Sequence, residues 1–368
     1  MANNWDKLLT DVLVEIAKRI RMCEDYVAFR GVCTCWRSAA TKDNFMFRNF
    51  PVPLLMRAPR KGHVLDFLNL TKGIVNQVSL SEPPMGKRFY SSKGCLITID
   101  QGLNVNLMHP FSNLQHKFPN MMTLHNDSPL MYDFLITKCA LSSNPLLEPD
   151  YILMVIYRTR TLIYARPGDE TWTKLAYHGY GYCDLTYYEG RIYAVSCTGE
   201  IWAWDYKVGG VDNPSEKELV AKLLSIKLPP NRPGRTYIVE SAGALLIIVK
   251  YIHYDRREVY TKYRSCEFVV FILDSSTRTC TEIKDLGDRI IFLGHNSSFV
   301  SSHLPNCKPN SIYFTDNWKE GYDGNEEGGG KDTGIYSLQD GSITFTTHFS
   351  HKSFNLINPP LWIEERSN

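Results

Sequence analysis

From Leu54 to the end, the chain repeats one pattern: a short run rich in Val, Ile, Tyr, Phe and Trp, a break at Gly, Asn, Asp or Pro, then another such run. The stretch 95–118 holds CLITID and then NVNLMHPFSNLQHKF; 151–175 holds YILMVIY and TLIYARPGDETWTKL; 182–206 reads YCDLTYYEGRIYAVSCTGEIWAWDY. Later, 244–283 gives ALLIIVKYI and EFVVFILDSSTRTCTEI, and 289–346 gives RIIFLG, SIYFTD and GIYSLQDGSITFT. Irregular recurrence of antiparallel strands over about 300 residues fits a β-propeller, and the candidate strands make about six blades at four strands each. One blade of such a fold is usually completed from both ends of the domain. Leu54-Leu55-Met56 and Leu361-Trp362-Ile363 are the candidates for that closure. A pair of β-sandwiches is the alternative, and it would not need the ends to meet.

The first fifty residues follow another period. Leu8, Leu9, Val12, Leu13, Ile16, Ala17 and Ile20 are spaced as one face of a helix, with Asp11, Glu15, Lys18 and Arg19 opposite. Tyr26, Phe29, Val32, Cys33 and Trp36 keep steps of three and four across Gly31, so one or two further short helices should follow. Pro51 and Pro53 then mark a boundary, since proline ends helices. The expected organisation is a helical module over 1–50 and the propeller over 51–368, a mainly β chain. A helical unit this small buries little surface, so it needs a partner, either the rest of the chain or another protein.

The order Trp5, Leu8, Leu9, Asp11, Leu13, Ile16, Ala17, Ile20, and then Phe29, Val32-Cys33-Thr34-Cys35-Trp36-Arg37-Ser38, resembles an F-box, whose usual form begins Leu-Pro and ends in Val-Cys-x-x-Trp-Arg. Thr10 stands where the proline is expected; its hydroxyl can cap the helix start, while a proline-specific contact with the partner would be lost. In the second half, Ser91-Ser92-Lys93-Gly94-Cys95-Leu96, Leu107-Met108-His109-Pro110-Phe111-Ser112, Asp285-Leu286-Gly287-Asp288-Arg289, Phe292-Leu293-Gly294-His295-Asn296-Ser297-Ser298, Asn310-Ser311-Ile312-Tyr313-Phe314-Thr315-Asp316 and Pro359-Pro360-Leu361-Trp362 resemble the plant F-box family with a KIB-type propeller. Cys95 replaces a frequent tryptophan and His109 a usual asparagine.

This resemblance implies a substrate receptor of an SCF-type ubiquitin ligase, bound through a Skp1-type adaptor to a cullin and holding an unidentified target protein on the propeller. The adaptor-facing or helix-packing set it implies is Leu8, Leu9, Thr10, Leu13, Ile16, Ile20, Val32 and Trp36; Trp36 and Cys33 serve equally well as internal packing, whereas Leu8, Leu9 and Leu13 lean towards contact. No target-binding residue can be named from sequence.

Lys and Arg total 41 against 39 for Asp and Glu, a formal net charge of +2, so no field advertises nucleic acid or an anionic membrane. Asp6, Lys7 and Asp11 interrupt the first apolar stretch, which is not a signal peptide, and no apolar run reaches membrane-spanning length. The expected compartment is the cytosol, the nucleus or both. The cysteines, scattered singly in apolar runs, then read as small buried hydrophobes. Cys33 and Cys35 have no matching pair and make no zinc site.

An enzyme is the competing class, because some propellers carry catalytic sites. No glycine-rich phosphate loop, metal-spaced His or Cys pair, or Gly-x-Ser-x-Gly elbow is present, and His109, His116, His125, His178 and His253 fall in turns or beside strands. Trp172, Trp202 and Trp204 alternate as blade packing requires. Asn325-Glu326-Glu327-Gly328-Gly329-Gly330-Lys331-Asp332 reads as a flexible surface loop. No catalytic residue, metal or cofactor is expected. The remaining alternative is a propeller that holds a partner without ubiquitin transfer, its F-box a relic.

Overall fold

The computed structural model describes residues 8–17, 29–40, 52–57, 62–112, 114–124, 135–206, 218–222, 234–255, 262–302, 304–318, 329–345 and 358–365. The chain divides into two compact units, 1–52 with 365–368, and 53–364.

The larger unit is a six-bladed propeller. Its second to fifth blades follow chain order, each a four-stranded meander: β4 to β7 (Lys87–Ser92, Cys95–Asp100, Val105–Met108, Gln115–Phe118), β8 to β11 (Ile136–Leu141, Leu153–Tyr157, Thr161–Ala165, Thr173–Tyr177), β12 to β15 (Tyr182–Tyr188, Arg191–Ser196, Glu200–Asp205, Glu218–Lys222) and β16 to β19 (Gly234–Ser241, Ala244–Asp255, Lys262–Asp274, Thr279–Ile283). The first blade has the order β25-β1-β2-β3, in which the C-terminal strand β25 (Leu361–Glu365) lies beside β1 (Val52–Met56), followed by β2 (Val64–Asn69) and β3 (Ile74–Ser79). The ends therefore meet, as the propeller reading requires and the sandwich reading does not.

Alternation builds the blade interfaces. In β9, Leu153, Val155 and Tyr157 enter the cluster shared with the second blade. Met154 and Ile156 point the other way, into the cluster shared with the fourth. β17 does the same, with Leu245, Ile247 and Val249 on one side and Leu246 and Ile248 on the other. A strand buried on both faces loses the polar alternation of a solvated sheet, which is why these runs read as continuous apolar stretches. Each such side chain contributes about 1.5–3 kcal/mol. Trp362 locks the closure: fully buried, it packs edge-on against Phe292 at 5.3 Å in a cluster with Leu55. Trp172 and Trp204 are blade packing, as their alternation suggests.

The sixth blade departs from the meander. Its order is β21-β20-β22-β23-β24 (Phe299–Ser302, Arg289–Leu293, Ser311–Phe314, Gly334–Ser337, Ile343–Phe345), and β20 pairs with β22 in parallel. The strand FVSS holds two adjacent apolar residues, Phe299 and Val300, followed by two serines, too short a run to stand out in the sequence.

In the helical unit, α1 (Thr10–Ala17) and α2 (Thr34–Ala39) flank a helical stretch at 29–32, and Leu13, Ala17, Phe29, Ala39 and Ala40 form the small core. Cys95 and Cys139 are buried, as expected of thiols in apolar runs, but Cys35, Cys197 and Cys266 are exposed, which corrects that expectation for these three. Cys197 lies in a turn after β13.

Candidate functional site

The helical unit sorts the expected adaptor-facing residues by burial. Leu13 is 1% exposed and belongs to the small core; Leu8, Ile16 and Trp36 are half-buried against it. Trp36 packs on Phe29 with ring centroids 4.4 Å apart. Leu9, at 74%, and Val32, at 54%, face solvent, as does Val12 at 43%. Leu9, Val12 and Ile16 are spaced three and four residues apart and so share one side of α1. Val12 belongs to the same periodic stripe as Leu13, and the sequence could not tell which of the two the core would take. Ile20 lies outside the described residues.

Thr10 is the first helical residue rather than the cap. The Leu9 carbonyl accepts from the backbone amides of Val12 at 3.0 Å and Leu13 at 3.1 Å, which makes Leu9 the capping position. Thr10 thus holds the N1 site, where a proline would be preorganised. The Val-Cys-x-x-Trp-Arg stretch spans a break: Cys33 is extended, at φ −162°, between the helical residues 29–32 and α2. Arg30 Nη1 donates to the Ala40 carbonyl at 3.0 Å and Arg37 Nε to the Arg30 carbonyl at 3.3 Å, holding the two segments together.

In the propeller, the first strands of successive blades lie side by side around the axis, and they carry buried charge. Lys138 of β8 and Asp184 of β12 pair at 3.4 Å with side chains 3% and 0% exposed. Lys138 also donates to the Gly294 carbonyl at 3.0 Å, while Asp184 accepts from the Leu185 amide at 2.9 Å, the Ile238 amide at 3.2 Å and the Ser298 hydroxyl at 2.9 Å. Burial pushes the Lys138 ammonium below its ordinary pKa and the Asp184 carboxyl above its own, each opposed by the other's charge. Arg88 of β4 lies buried with Nη2 3.3 Å from His295 Nε2.

One segment, 294–298, receives these groups. The Ser297 amide donates to the Ser91 carbonyl at 2.8 Å, and the Ser92 hydroxyl reaches the Ser297 hydroxyl at 3.1 Å. Gly294 is obligatory here, because a Cβ would sit 2.2 Å from Thr315 Oγ1. The segment fills the axis with peptide groups that satisfy the inner strands.

A second buried network ties the fifth blade to the sixth. Lys250 pairs with Asp332 at 3.0 Å, both side chains fully buried. Asp332 accepts from the Ser265 amide at 2.7 Å and hydroxyl at 2.6 Å; Asp316 accepts from the Tyr263 hydroxyl at 2.6 Å and the Gly330 amide at 2.7 Å. Burial works to lower the Lys250 pKa, but Asp332, Tyr237 and Asp316 outweigh it and the net shift is upward; burial and Asp332 raise that of Asp316. Gly329, Gly330 and Asp332 are buried, so the end of the expected surface loop is interior. Its acidic residue is drawn inward by Lys250; 325–328 lie outside the described residues. Among the described residues no group of three or more His, Cys, Asp or Glu could hold a metal ion, and no helix is long and apolar enough to cross a membrane.

The model of the KIB1-4 beta-propeller family matches residues 67–337. The chain belongs to that family. Its relatives in Arabidopsis thaliana include F-box protein SKIP23, 24% identical over 98% of this chain and 95% of that protein. Two further Arabidopsis F-box proteins are 24% identical over 85% of this chain and 96% of theirs, and 22% identical over 98% and 99%. In this KIB1-4 propeller the stretch 285–316 builds the parallel pair and the axial segment. His109 is buried near Phe111, and burial lowers its pKa to about 4.

The turns of this KIB1-4 propeller differ in residue choice. The hairpins after the first strands of the second, fourth and fifth blades close with Lys93-Gly94, Glu189-Gly190 and Ala242-Gly243, both residues at positive φ in each. The β9–β10 loop also has two successive residues at positive φ, Arg158 (48°) and Thr159 (62°), with no glycine. A left-handed non-glycine residue costs about 1–2 kcal/mol, more readily for a β-branched one.

Proposed function

We propose that the chain is the substrate-recognition subunit of an SCF-type ubiquitin ligase, with residues 1–50 as the F-box that docks a Skp1-type adaptor and, through it, a cullin, and residues 51–368 as the propeller that holds the target protein. The observation that carries the reading is the exposed apolar set Leu9, Val12 and Val32 on a helical unit whose own core takes Leu13 and Ala17, in a chain aligned end to end with F-box proteins. Covering one such side chain contributes about 1.5–3 kcal/mol, enough for three of them to dominate an interface.

The chain's part is binding rather than bond-making. It brings a target to the transferring enzyme, and the chemistry of ubiquitin ligation belongs to other subunits. The work is done in the cytosol or nucleus.

The test is co-purification of the full chain with a Skp1-type adaptor, native against Leu9→Asp, Val12→Asp. Both positions are exposed, so the variant should fold. Binding by the native chain and a loss of at least about 100-fold in the variant are expected. A folded native chain that does not bind overturns the reading and leaves a propeller that holds its partner without ubiquitin transfer.

A further inference from the structure

The blade 3 loop that lacks glycine is part of a larger surface. Arg158, Thr159 and Arg160 are all exposed. Beside them stand two of the most exposed aromatic side chains of the propeller, Tyr177 at 62% and Tyr180 at 76%. Backbone hydrogen bonds make these one rigid body: the Tyr182 amide donates to the Thr159 carbonyl at 2.6 Å, the His178 amide to the Arg160 carbonyl at 2.9 Å, and the Cys197 amide to the Gly181 carbonyl at 3.0 Å. Tyr177 is the ladder partner of Thr161, the first residue after the loop. Gly181, at φ 87°, lets the 178–181 connection pass over the loop, since a Cβ there would meet the Thr159 carbonyl at 3.1 Å.

Its underside is braced. His178 is buried, with Nε2 2.9 Å from the Glu200 carboxylate and its ring against Tyr182 at 5.4 Å and Trp202 at 6.4 Å. The corresponding loops of the second and fourth blades contain Gly102 and Gly199 and present no arginine. Blade 3 alone among these three holds two successive non-glycine residues in the left-handed region, where the second blade has Leu103 by itself at φ 62° and the fourth has Gly199, and the residues it displays are Arg-Thr-Arg. Backbone strain held by surrounding hydrogen bonds at an exposed loop is a mark of a binding site, and tyrosine with arginine is the composition of interface anchors.

We propose that the β9–β10 loop and the 178–181 connection form the target-docking patch, and that it takes an acidic peptide segment of the target, its carboxylates on Arg158 and Arg160 and an adjacent aromatic or aliphatic residue on Tyr177 and Tyr180. The inference rests on the reading of the propeller as the target-holding part. Guanidinium groups recognise carboxylates through paired N–H donors, and a tyrosine face alongside supplies apolar contact at small entropic loss.

The test is selection of a randomised dodecapeptide display library on the full chain, followed by fluorescence anisotropy of one selected peptide. The selected peptides should be enriched in Asp and Glu next to an aromatic or aliphatic residue. Affinity should fall at least about tenfold on Arg160→Glu with Tyr180→Ser, and similarly when the peptide's acids become amides, and should weaken as salt rises. Selection without acidic enrichment, equal binding by the variant, or equal displacement of the peptide by any polyanion such as heparin would overturn the patch. Adaptor binding is measured on the same preparations. Retained adaptor binding with a failed selection removes the patch alone; patch-dependent peptide binding without adaptor binding supports the patch and removes the ligase reading.

Discussion

Lys138 and Asp184 lie inside the propeller with side chains 3% and 0% exposed, whereas Leu9 and Val32 of the helical unit stand 74% and 54% open to solvent. The two units thus break the usual partition in opposite directions, charge inside one and apolar surface outside the other. Their means differ accordingly. A propeller leaves a central gap that its inner strands line, and here buried charges and an inserted segment occupy it, Lys138, Asp184 and Arg88 each finding partners on other elements of the fold. The helical unit has too few residues to cover its own stripe, and what it leaves uncovered is available to another molecule. The buried charges find their counter-charges within the chain, whereas Leu9, Val12 and Val32 lie outside the small core of their own unit.

Removing one member of the axial pair should have the largest effect. Asp184→Ala leaves the Lys138 ammonium buried without its counter-charge and strips partners from the Ile238 amide and the Ser298 hydroxyl. A loss of about 3–5 kcal/mol in propeller stability is expected, read by denaturant unfolding. Lys138→Met with Asp184→Leu should recover at least half of that loss, since no charge is then left uncompensated. If the double variant is as unstable as the single one, the pair is not what the inner strands depend on.

This contrast also separates what the sequence reveals from what it hides. Strand runs, their breaks and the meeting of Leu54-Leu55-Met56 with Leu361-Trp362-Ile363 are legible because blade packing imposes local periodicity and closure leaves an apolar strand at each end. The axial charges are not part of any period. A lone Lys138 in ITKCAL, Asp184 in YCDLTYY and Lys250 in ALLIIVKYI are each visible as a charge inside an apolar run, and that signal could have marked them. Their pairing could not be read, because Lys138 finds Asp184, and Lys250 finds Asp332, only through the three-dimensional fold. In the helical unit the stripe is plain, yet periodicity cannot divide Leu13 from Leu9 or Val12; only packing against Phe29 and Ala39 does that.

Leu13 and Leu9 provide the matched test on the helical side. Leu13→Ala removes a fully packed side chain and should cost about 2–5 kcal/mol, seen as faster amide exchange across α1 and α2. Adaptor binding would then weaken only through unfolding, and lowering the temperature should restore it in part. Leu9→Asp should leave exchange unchanged and abolish binding at every temperature. Equal exchange in both variants would mean that the small core does not depend on Leu13.

Acid should reach the propeller through His109. Its folded pKa of about 4 lies below the ordinary value of 6.5, burial being the cause. The unfolded chain therefore binds the proton more readily, so this group's contribution is intact above about pH 6.5 and declines as the pH falls towards about 4. The shift corresponds to at most about 3 kcal/mol. His109→Asn, measured by unfolding at pH 7 and pH 4.5, should flatten that part of the profile. A variant with an unaltered acid response would place the sensitivity in the carboxylates instead.

The smallest effect is expected at the strained turn, and its sign is opposite. Arg158→Asn with Thr159→Gly gives the β9–β10 loop the residues that left-handed backbone favours and should raise stability by about 0.5–1 kcal/mol. A chain that gains stability from two exposed substitutions is holding a less stable turn for another reason. Under the docking proposal that reason is Arg158, so the stabilised variant should bind the selected acidic peptide several-fold more weakly while its adaptor binding stays at the native level. Higher stability with unchanged peptide affinity would mean that the strain serves no ligand, and would leave Arg160 and Tyr180 to carry the patch alone.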